Sequence, residues 1–290
     1  MKMPQFDYAR PASLEEAVRL LAANEGAKLL SGGQSLLPLL AFRMAHPTLL
    51  VDIEGLGGMD EISLTPEGLR VGARVRWCQI EKDDRLATLH PLFQFMINHV
   101  AHYQIRNRGT VGGSLAHADP AAEMPGVALV CGCDIIVVGS SGMRVIKAAH
   151  FFVAALETAL QPDEIITEIH FPTWPRGRRW AFHEFARRKG DFAMAGVAVF
   201  FDLNDEKRVV DAHIGVIGAA DTPIRLGAVE QLLNGQRLEE ELIGVAARLA
   251  AQEVDPNSDI HATADYRRAL VGTLTARALR NAGLRDGELK

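Results

Sequence analysis

Cysteine is scarce: the 290 residues contain three, Cys78, Cys131 and Cys133. A small odd number in a long chain builds no disulfide framework and suits a reducing cytoplasm, which is the compartment expected. Cys131 and Cys133 flank one glycine, yet a structural zinc site or an iron–sulfur cluster takes about four ligands. The pair therefore reads as core thiols, and no metal site is expected. Long apolar runs are missing too: none approaches the roughly 20 residues of a membrane helix. Residues 1 to 7 carry no apolar signal core, so neither a membrane nor export by that route is expected. Positive charge is short, with 31 Lys and Arg against 36 Asp and Glu and a formal net charge of -5. That balance gives no electrostatic case for nucleic acid. The basic run of Arg176, Arg178, Arg179, Arg187, Arg188 and Lys189 reads as a solvated strand face.

What the chain has is 48% hydrophobic residues, enough for one buried core or two or three small ones. Ser13-Leu14-Glu15-Glu16 is a capping-box pattern, and Leu14, Ala17, Val18 and Leu21 fall on one helical face. Residues 27 to 30 and 49 to 53 read as buried strands, so residues 1 to 55 form a strand–helix–strand unit suited to parallel pairing. A boundary is expected at the glycines between 55 and 58. Leu69, Val71, Ala73 and Val75 alternate with polar residues as in a half-buried strand. A helix is expected from Leu92 to Val100, strands at 134–138, 145–146 and 165–171, and a helix from 151 to 160. Past a linker at 172–177, stretches 180–187, 193–203 and 209–217 read as an antiparallel meander. Helices at 226–233, 240–253 and 262–282 complete the chain.

Two glycine-bearing stretches stand out. The first is Ser31-Gly32-Gly33-Gln34-Ser35-Leu36, delivered by a strand and followed by an apolar helical turn, a recurrent way to aim backbone donors at a pyrophosphate. It has no Lys-Ser/Thr after the glycines and no third glycine in Rossmann spacing. The second runs from Ile105 to Pro125, with Gly109, Gly112, Gly113, Thr110, Ser114, Asp119 and Glu123, and reads as too irregular for an ordinary helix or strand. Its glycines would let a phosphate or ring approach, its N–H groups would donate to phosphate oxygens, and its carboxylates would accept from sugar hydroxyls. Taken singly, each stretch is as readily a plain polar turn. His117 beside Asp119 has no third ligand nearby and reads as a hydrogen-bonded loop histidine.

Residues 30–38, together with Arg106-Asn107-Arg108-Gly109-Thr110-Val111-Gly112-Gly113-Ser114, closely resemble the FAD-binding medium subunit of the molybdenum hydroxylases. This is the family of xanthine dehydrogenase and carbon monoxide dehydrogenase. The resemblance covers nearly the whole chain, including Arg187-Arg188-Lys189-Gly190-Asp191-Phe192. It implies an α+β fold with a two-part FAD-binding domain of the vanillyl-alcohol-oxidase (PCMH) type in residues 1–55 and 56–175. Residues 176–290 would be a three-stranded antiparallel sheet with a helical bundle.

By the same resemblance, Leu29 to Leu36 (Leu29, Leu30, Ser31, Gly32, Gly33, Gln34, Ser35, Leu36) and Gly109 to Ser114 (Gly109, Thr110, Val111, Gly112, Gly113, Ser114) surround the FAD pyrophosphate. Glu123 stands where relatives often have aspartate and would contact the sugar or ribityl part, and His117 and Asp119 are counted among the cofactor-binding residues. Ile166 lies against the flavin, Phe192 stacks on the isoalloxazine, and Lys189 lies in the same loop. Where some relatives carry a lysine, His183 and Glu184 stand here, and His183 takes over that contact.

Function follows the same implication. The chain would hold one non-covalent FAD, take electrons from the [2Fe-2S] clusters of a small partner subunit, and pass them to an external acceptor. Hydroxylation would occur in a molybdopterin-bearing large subunit, within a dimer of heterotrimers. No catalytic acid or base is nominated, because the cofactor carries the chemistry. A self-sufficient flavin oxidoreductase and a flavin-free assembly subunit are the rival readings.

Overall fold

The computed structural model describes residues 3–284. Residues 1–2 and 285–290, the outer ends of the expected first and last parts, lie outside the described residues. The chain opens with β1 (Asp7–Ala9), α1 (Leu14–Ala23), β2 (Lys28–Leu30), α2 (Leu36–Ala41) and β3 (Leu49–Asp52). The strands pair in parallel in the order β1-β3-β2, and the central strand is buried at all four residues. The Ser13 side chain caps α1 by accepting from the Glu16 N–H at 3.2 Å. The Glu16 carboxylate accepts from the Ala12 N–H, one residue before the position a capping box predicts. Beyond the carboxyl ends of parallel strands lies the crevice where such sheets take their ligands. The Gly32-Gly33 turn leaves β2 at that edge.

The second part begins with β4 (Ile62–Thr65) and β5 (Gly68–Gly72), then runs through the short helices α3 (Trp77–Lys82), α4 (Leu86–Leu89), α5 (Pro91–Met96), α6 (Tyr103–Arg106), α7 (Val111–His117) and α8 (Glu123–Val130). It continues with β6 (Asp134–Gly139), β7 (Gly142–Lys147), the hairpin β8 (Phe152–Ala154) and β9 (Glu157–Thr158), and β10 (Ile165–Pro172). An antiparallel five-stranded sheet results, ordered β4-β5-β10-β6-β7.

Four expectations are corrected here. β5 stops at Gly72, because the Ala73 and Val75 carbonyls accept instead from Gly112 and Val111. The helix expected over 92–100 ends at Met96, after which single turns lead to Ala101 at φ 41°. The stretch thought too irregular for a helix contains α7, capped by Thr110 and ended by Ala118 in the left-handed region. The helix expected over 151–160 is a hairpin. Leu156 sits at φ 61°, where an L side chain breaks a helix, and its N–H donates to the Ala118 carbonyl.

The third part is β11 (Arg179–Phe185), β12 (Ala195–Leu203), β13 (Val209–Ile217) and β14 (Ile224–Arg225), followed by α9 (Gly227–Leu233), α10 (Glu240–Glu253) and α11 (Ala264–Gly283). The expected meander is present, and the two-residue β14 adds a fourth strand beyond β13. One face of the sheet, with Ala181, Val197, Val199, Ile214 and Val216, packs with α9, α10 and α11. The other face, with Trp180, Phe182, Ala198, Phe200 and Ile217, joins the larger core of the first two parts. Helix α8 crosses that face, and a side-chain carbon on Gly126 would overlap Ile217. Being buried on every side, α8 has no polar stripe.

Cys131 and Cys133 are buried, and burial pushes both thiols up from their ordinary range. Native protein should therefore expose one reactive thiol, Cys78, to Ellman's reagent, and all three in denaturant. Rapid reaction of all three without denaturant would contradict this burial.

Candidate functional site

The two turns meet. The Ser31 and Thr110 hydroxyl oxygens lie 3.1 Å apart across 79 residues of chain. Gly32 sits so close to the second turn that a Cβ there would overlap the Arg108 carbonyl oxygen and reach 2.9 Å from the Gly109 Cα. Charge reinforces the junction. Glu54, just past β3, takes Arg76 at 2.9 Å and Arg108 at 4.0 Å, while the Arg74 guanidinium donates to the Glu54 and Leu56 carbonyls. Tyr8 donates to Asp52 at 2.5 Å on the same edge.

The donors divide unevenly between the turns. Among the described residues, the backbone N–H groups of Gly32, Gly33, Gln34 and Ser35 have no protein acceptor, and Gly33 takes φ 74°. Successive free N–H groups in such a turn form an anion-binding concavity. The second turn was expected to offer the same, but only its Thr110 N–H has no acceptor among the described residues, and most of its other donors are spent. Val111 donates to Val75, Gly112 to Ala73 at 2.8 Å, and Gly113 to the Thr110 hydroxyl at 3.2 Å. Its glycines serve packing: a Cβ on Gly112 would come within 2.6 Å of the Ala73 Cβ, and one on Gly109 within 2.9 Å of the Trp77 indole nitrogen. What the second turn adds is a polar line along α7, buried at Thr110 and half-buried at Ser114 and His117. Thr110, Ser114 and His117 recur at helical spacing on α7, opposite the buried Val111, Gly112 and Leu115. The Ser114 and His117 side chains make no hydrogen bond to the described residues. Asp119 and Glu123 continue the line, with one Asp119 oxygen accepting from the Ala121 N–H.

The remaining nominated residues are more scattered. Leu29, Leu30 and Leu36 flank the first turn and are half-buried. Ile166 is buried in the larger core beside a bulge in β10. Lys189 and Phe192 are exposed, Phe192 at 68%. Their loop rests on the start of α6, since a Cβ on Gly190 would come within 2.6 Å of the His102 ring. His183 points the other way, toward α11, with its Nε2 2.7 Å from the Asn281 amide. The neighbour that strand alternation sends toward α8 is Glu184, which the motif reading left without a role. Burial, and then the nearby Asp119, push the Glu123 carboxyl up; burial, and then Glu123, push Glu184 up further.

These residues fit a dinucleotide: free N–H donors and hydroxyls at one end of α7, and carboxyls at the other. Thr110 should be the most economical probe of the junction. Thr110→Ala removes the α7 cap and the contact with Ser31, and should cost about 1 kcal/mol; Thr110→Ser should restore most of it. Thermal denaturation of the three proteins compares them, and equal melting of all three would dismiss the cap.

Among the described residues, no group of three or more His, Cys, Asp or Glu stands ready for a metal ion, and no helix is long and apolar enough to cross a membrane.

Comparison with known proteins agrees with this geometry. Residues 4–174 match the family described as the FAD binding domain in molybdopterin dehydrogenase, and residues 180–282 match the CO dehydrogenase flavoprotein C-terminal domain. The nicotine 6-hydroxylase medium subunit of Paenarthrobacter nicotinovorans is 40% identical, over 98% of this chain and 100% of the relative. The caffeine dehydrogenase subunit beta of Pseudomonas sp. (strain CBB1) is 38% identical, over 97% and 96%. Among solved structures, carbon monoxide dehydrogenase from Hydrogenophaga pseudoflava superposes with a TM-score of 0.94 at 33% identity, covering 97% of this chain and 98% of that one. Two turns that converge from distant parts of the chain, both family matches and end-to-end similarity to these subunits leave one assignment: the chain belongs to the FAD-binding medium subunits of the molybdenum hydroxylase family, as an oxidoreductase subunit.

Proposed function

We propose that the chain holds one non-covalent FAD and relays electrons from the [2Fe-2S] clusters of a small partner subunit to an external acceptor. The observation that carries this is the junction of Ser31 and Thr110, with unspent N–H donors beside it. FAD, when bound, supplies a carrier that takes up two electrons and can accept them one at a time. The protein's part is positioning. Gly32, Gly33, Gln34 and Ser35 would direct N–H groups at the pyrophosphate, and Ser31, Thr110 and Ser114 would add hydroxyls. His117, Asp119 and Glu123 would meet the sugar and ribityl hydroxyls. Leu29, Leu30, Leu36, Ile166 and Phe192 would give apolar walls, with Phe192 exposed enough to turn onto a ring, and Lys189 would lie beside it. His183, tied to Asn281, is retained only as a support of β11.

The division into 1–55, 56–175 and 176–290 belongs to this proposal. So do assembly with a molybdopterin-bearing large subunit as a dimer of heterotrimers, and a cytoplasmic location. The names of the nicotine and caffeine relatives support an N-heterocyclic substrate for the complete enzyme, chosen in the large subunit.

The test is to copurify the chain with its partners, quantify flavin, and add substrate anaerobically. One FAD per chain is expected, with bleaching of the flavin band only when the iron–sulfur partner is present. A reconstituted complex without a flavin band, or an isolated chain that turns over an organic substrate, would refute the relay.

A further inference from the structure

Strand β11 forms the edge of the C-terminal sheet, and its alternation sends Trp180, Phe182 and Glu184 toward the first two parts. Across the sheet from Glu184 the register places Gly196 and then Ile217. Gly126 of α8 packs on Ile217, and Glu123 begins that helix one turn earlier. The start of α8 therefore lies over the side of the sheet that carries Glu184, with Glu123 near enough to act on the Glu184 carboxyl and Asp119 near enough to act on Glu123. The Glu184 Oε2 atom is buried and has no hydrogen-bond partner among the described residues. Neither carboxylate is paired with a cation among the described residues. An ionised carboxylate in that position is left uncompensated, so protonation is the cheaper state.

We propose that Glu184 is a positioning residue of the flavin site: it stays neutral near Glu123, which keeps the start of α8 seated on the C-terminal sheet and FAD retained. This rests on the FAD-binding reading above. The groups around Glu184 support it. Glu123 and Asp119 approach from the α8 side, while β12 and β13 present only Gly196 and Ile217. His99, which packs on Phe182 of the same face, is pushed below the ordinary histidine range by burial, then by His183 and Lys189. His183 lies on the opposite face against Asn281, and Lys189 is exposed. Burial and the nearby Glu123 raise the Glu184 carboxyl above its unfolded value of about 4.3. Stability from such a group is fully present below the unfolded value and is lost as pH rises toward the raised folded one.

Two measurements on the full chain between pH 5 and pH 9.5 test this: FAD retention by ultrafiltration, and the melting temperature without FAD. Wild type should lose at least about tenfold in FAD affinity between pH 6.5 and 9.5, while Glu184→Gln, which leaves only the Glu123 carboxyl of the two to titrate in that range, should lose at most about threefold. Without FAD, the two melting curves should match at pH 5 and separate as pH rises, with the variant the more stable. Glu123→Gln, which also leaves at most one charge in the pair but alters a proposed FAD contact, is read only in the melting temperature without FAD, where it should flatten the alkaline fall as well, and serves if Glu184→Gln folds poorly. A wild type without the alkaline fall, or variants that keep it, would overturn the proposal. If wild type binds no FAD at any pH, the flavin reading fails, and the melting curves alone decide: parallel curves across the range would then overturn the neutral Glu184.

Discussion

Gly32→Val is expected to strip FAD from the chain while leaving it folded. The Cβ would overlap the Arg108 carbonyl and press on the Gly109 Cα. Both are backbone, so no rotamer change relieves the clash, and the two turns must separate. The stability cost should be that of an overpacked contact, about 1–3 kcal/mol. Binding suffers more, because the donors beside Gly33 and the hydroxyl of Thr110 no longer address the same diphosphate. A loss of at least about 100-fold in affinity, roughly 2.7 kcal/mol, is expected.

Its neighbours sharpen the test. The atoms nearest a Cβ on Gly33 would be side-chain carbons of Leu37 and Leu30, at 3.1 and 3.3 Å. Gly33→Ala therefore carries mainly the strain of a positive φ, about 1–2 kcal/mol. Gly112→Val drives a side chain into Ala73, including its carbonyl at 2.9 Å, so it should unseat α7 and lower stability and flavin content together. Flavin per chain, set against melting temperature, separates the three. Full flavin occupancy in Gly32→Val would end the case for converging turns.

The contrast between Gly32 and Gly112 also marks what could be read without coordinates. The parallel unit was legible because a buried run at 49–53, a capped helix and a second apolar run leave few arrangements. The meander was legible for the same reason, from its three long alternating stretches. α7 was not. Two glycines each cost a helix about 1 kcal/mol, and only the close approach of Ala73 explains why they are there. The hairpin at 151–160 was hidden because its apolar residues imitate a helical face, while the left-handed Leu156 that forbids a helix leaves no local sign. In the candidate site, both turns and the acids after α7 could be named from motif and resemblance. Whose donors were already spent depended on contacts across distant chain. Glu184 was within reach, since alternation pairs it with Phe182, but nothing in one strand says that α8 covers that face.

The segment 172–177 reads as a linker, yet it acts as a wedge, and Arg178→Met should show it. The Trp174 ring lies 4.5 Å from His90 on one side and 5.3 Å from Phe200 of β12 on the other. Arg178 fixes that position. Its guanidinium forks onto Asp202 at 3.0 and 2.6 Å, donates to Asp211 at 2.8 Å, and lies over Phe200 at 4.4 Å and Trp174 at 5.4 Å. The arginine side chain is only 11% exposed, whereas the aspartates keep 29% and 53% of theirs. The loss should therefore fall below the cost of breaking a fully buried pair, at about 2–3 kcal/mol, or roughly 4–10 °C in melting temperature. Arg178→Lys should recover only part of it, because an ammonium cannot fork onto a carboxylate while lying flat on two rings. Adding Asp202→Asn and Asp211→Asn to Arg178→Met should cost little more, since their shared partner is already gone. If Arg178→Met melts with the wild type, the segment is a tether after all, and the seating of the C-terminal sheet rests on its other contacts, α8 and the packing of Phe95 on Trp180 and His99 on Phe182.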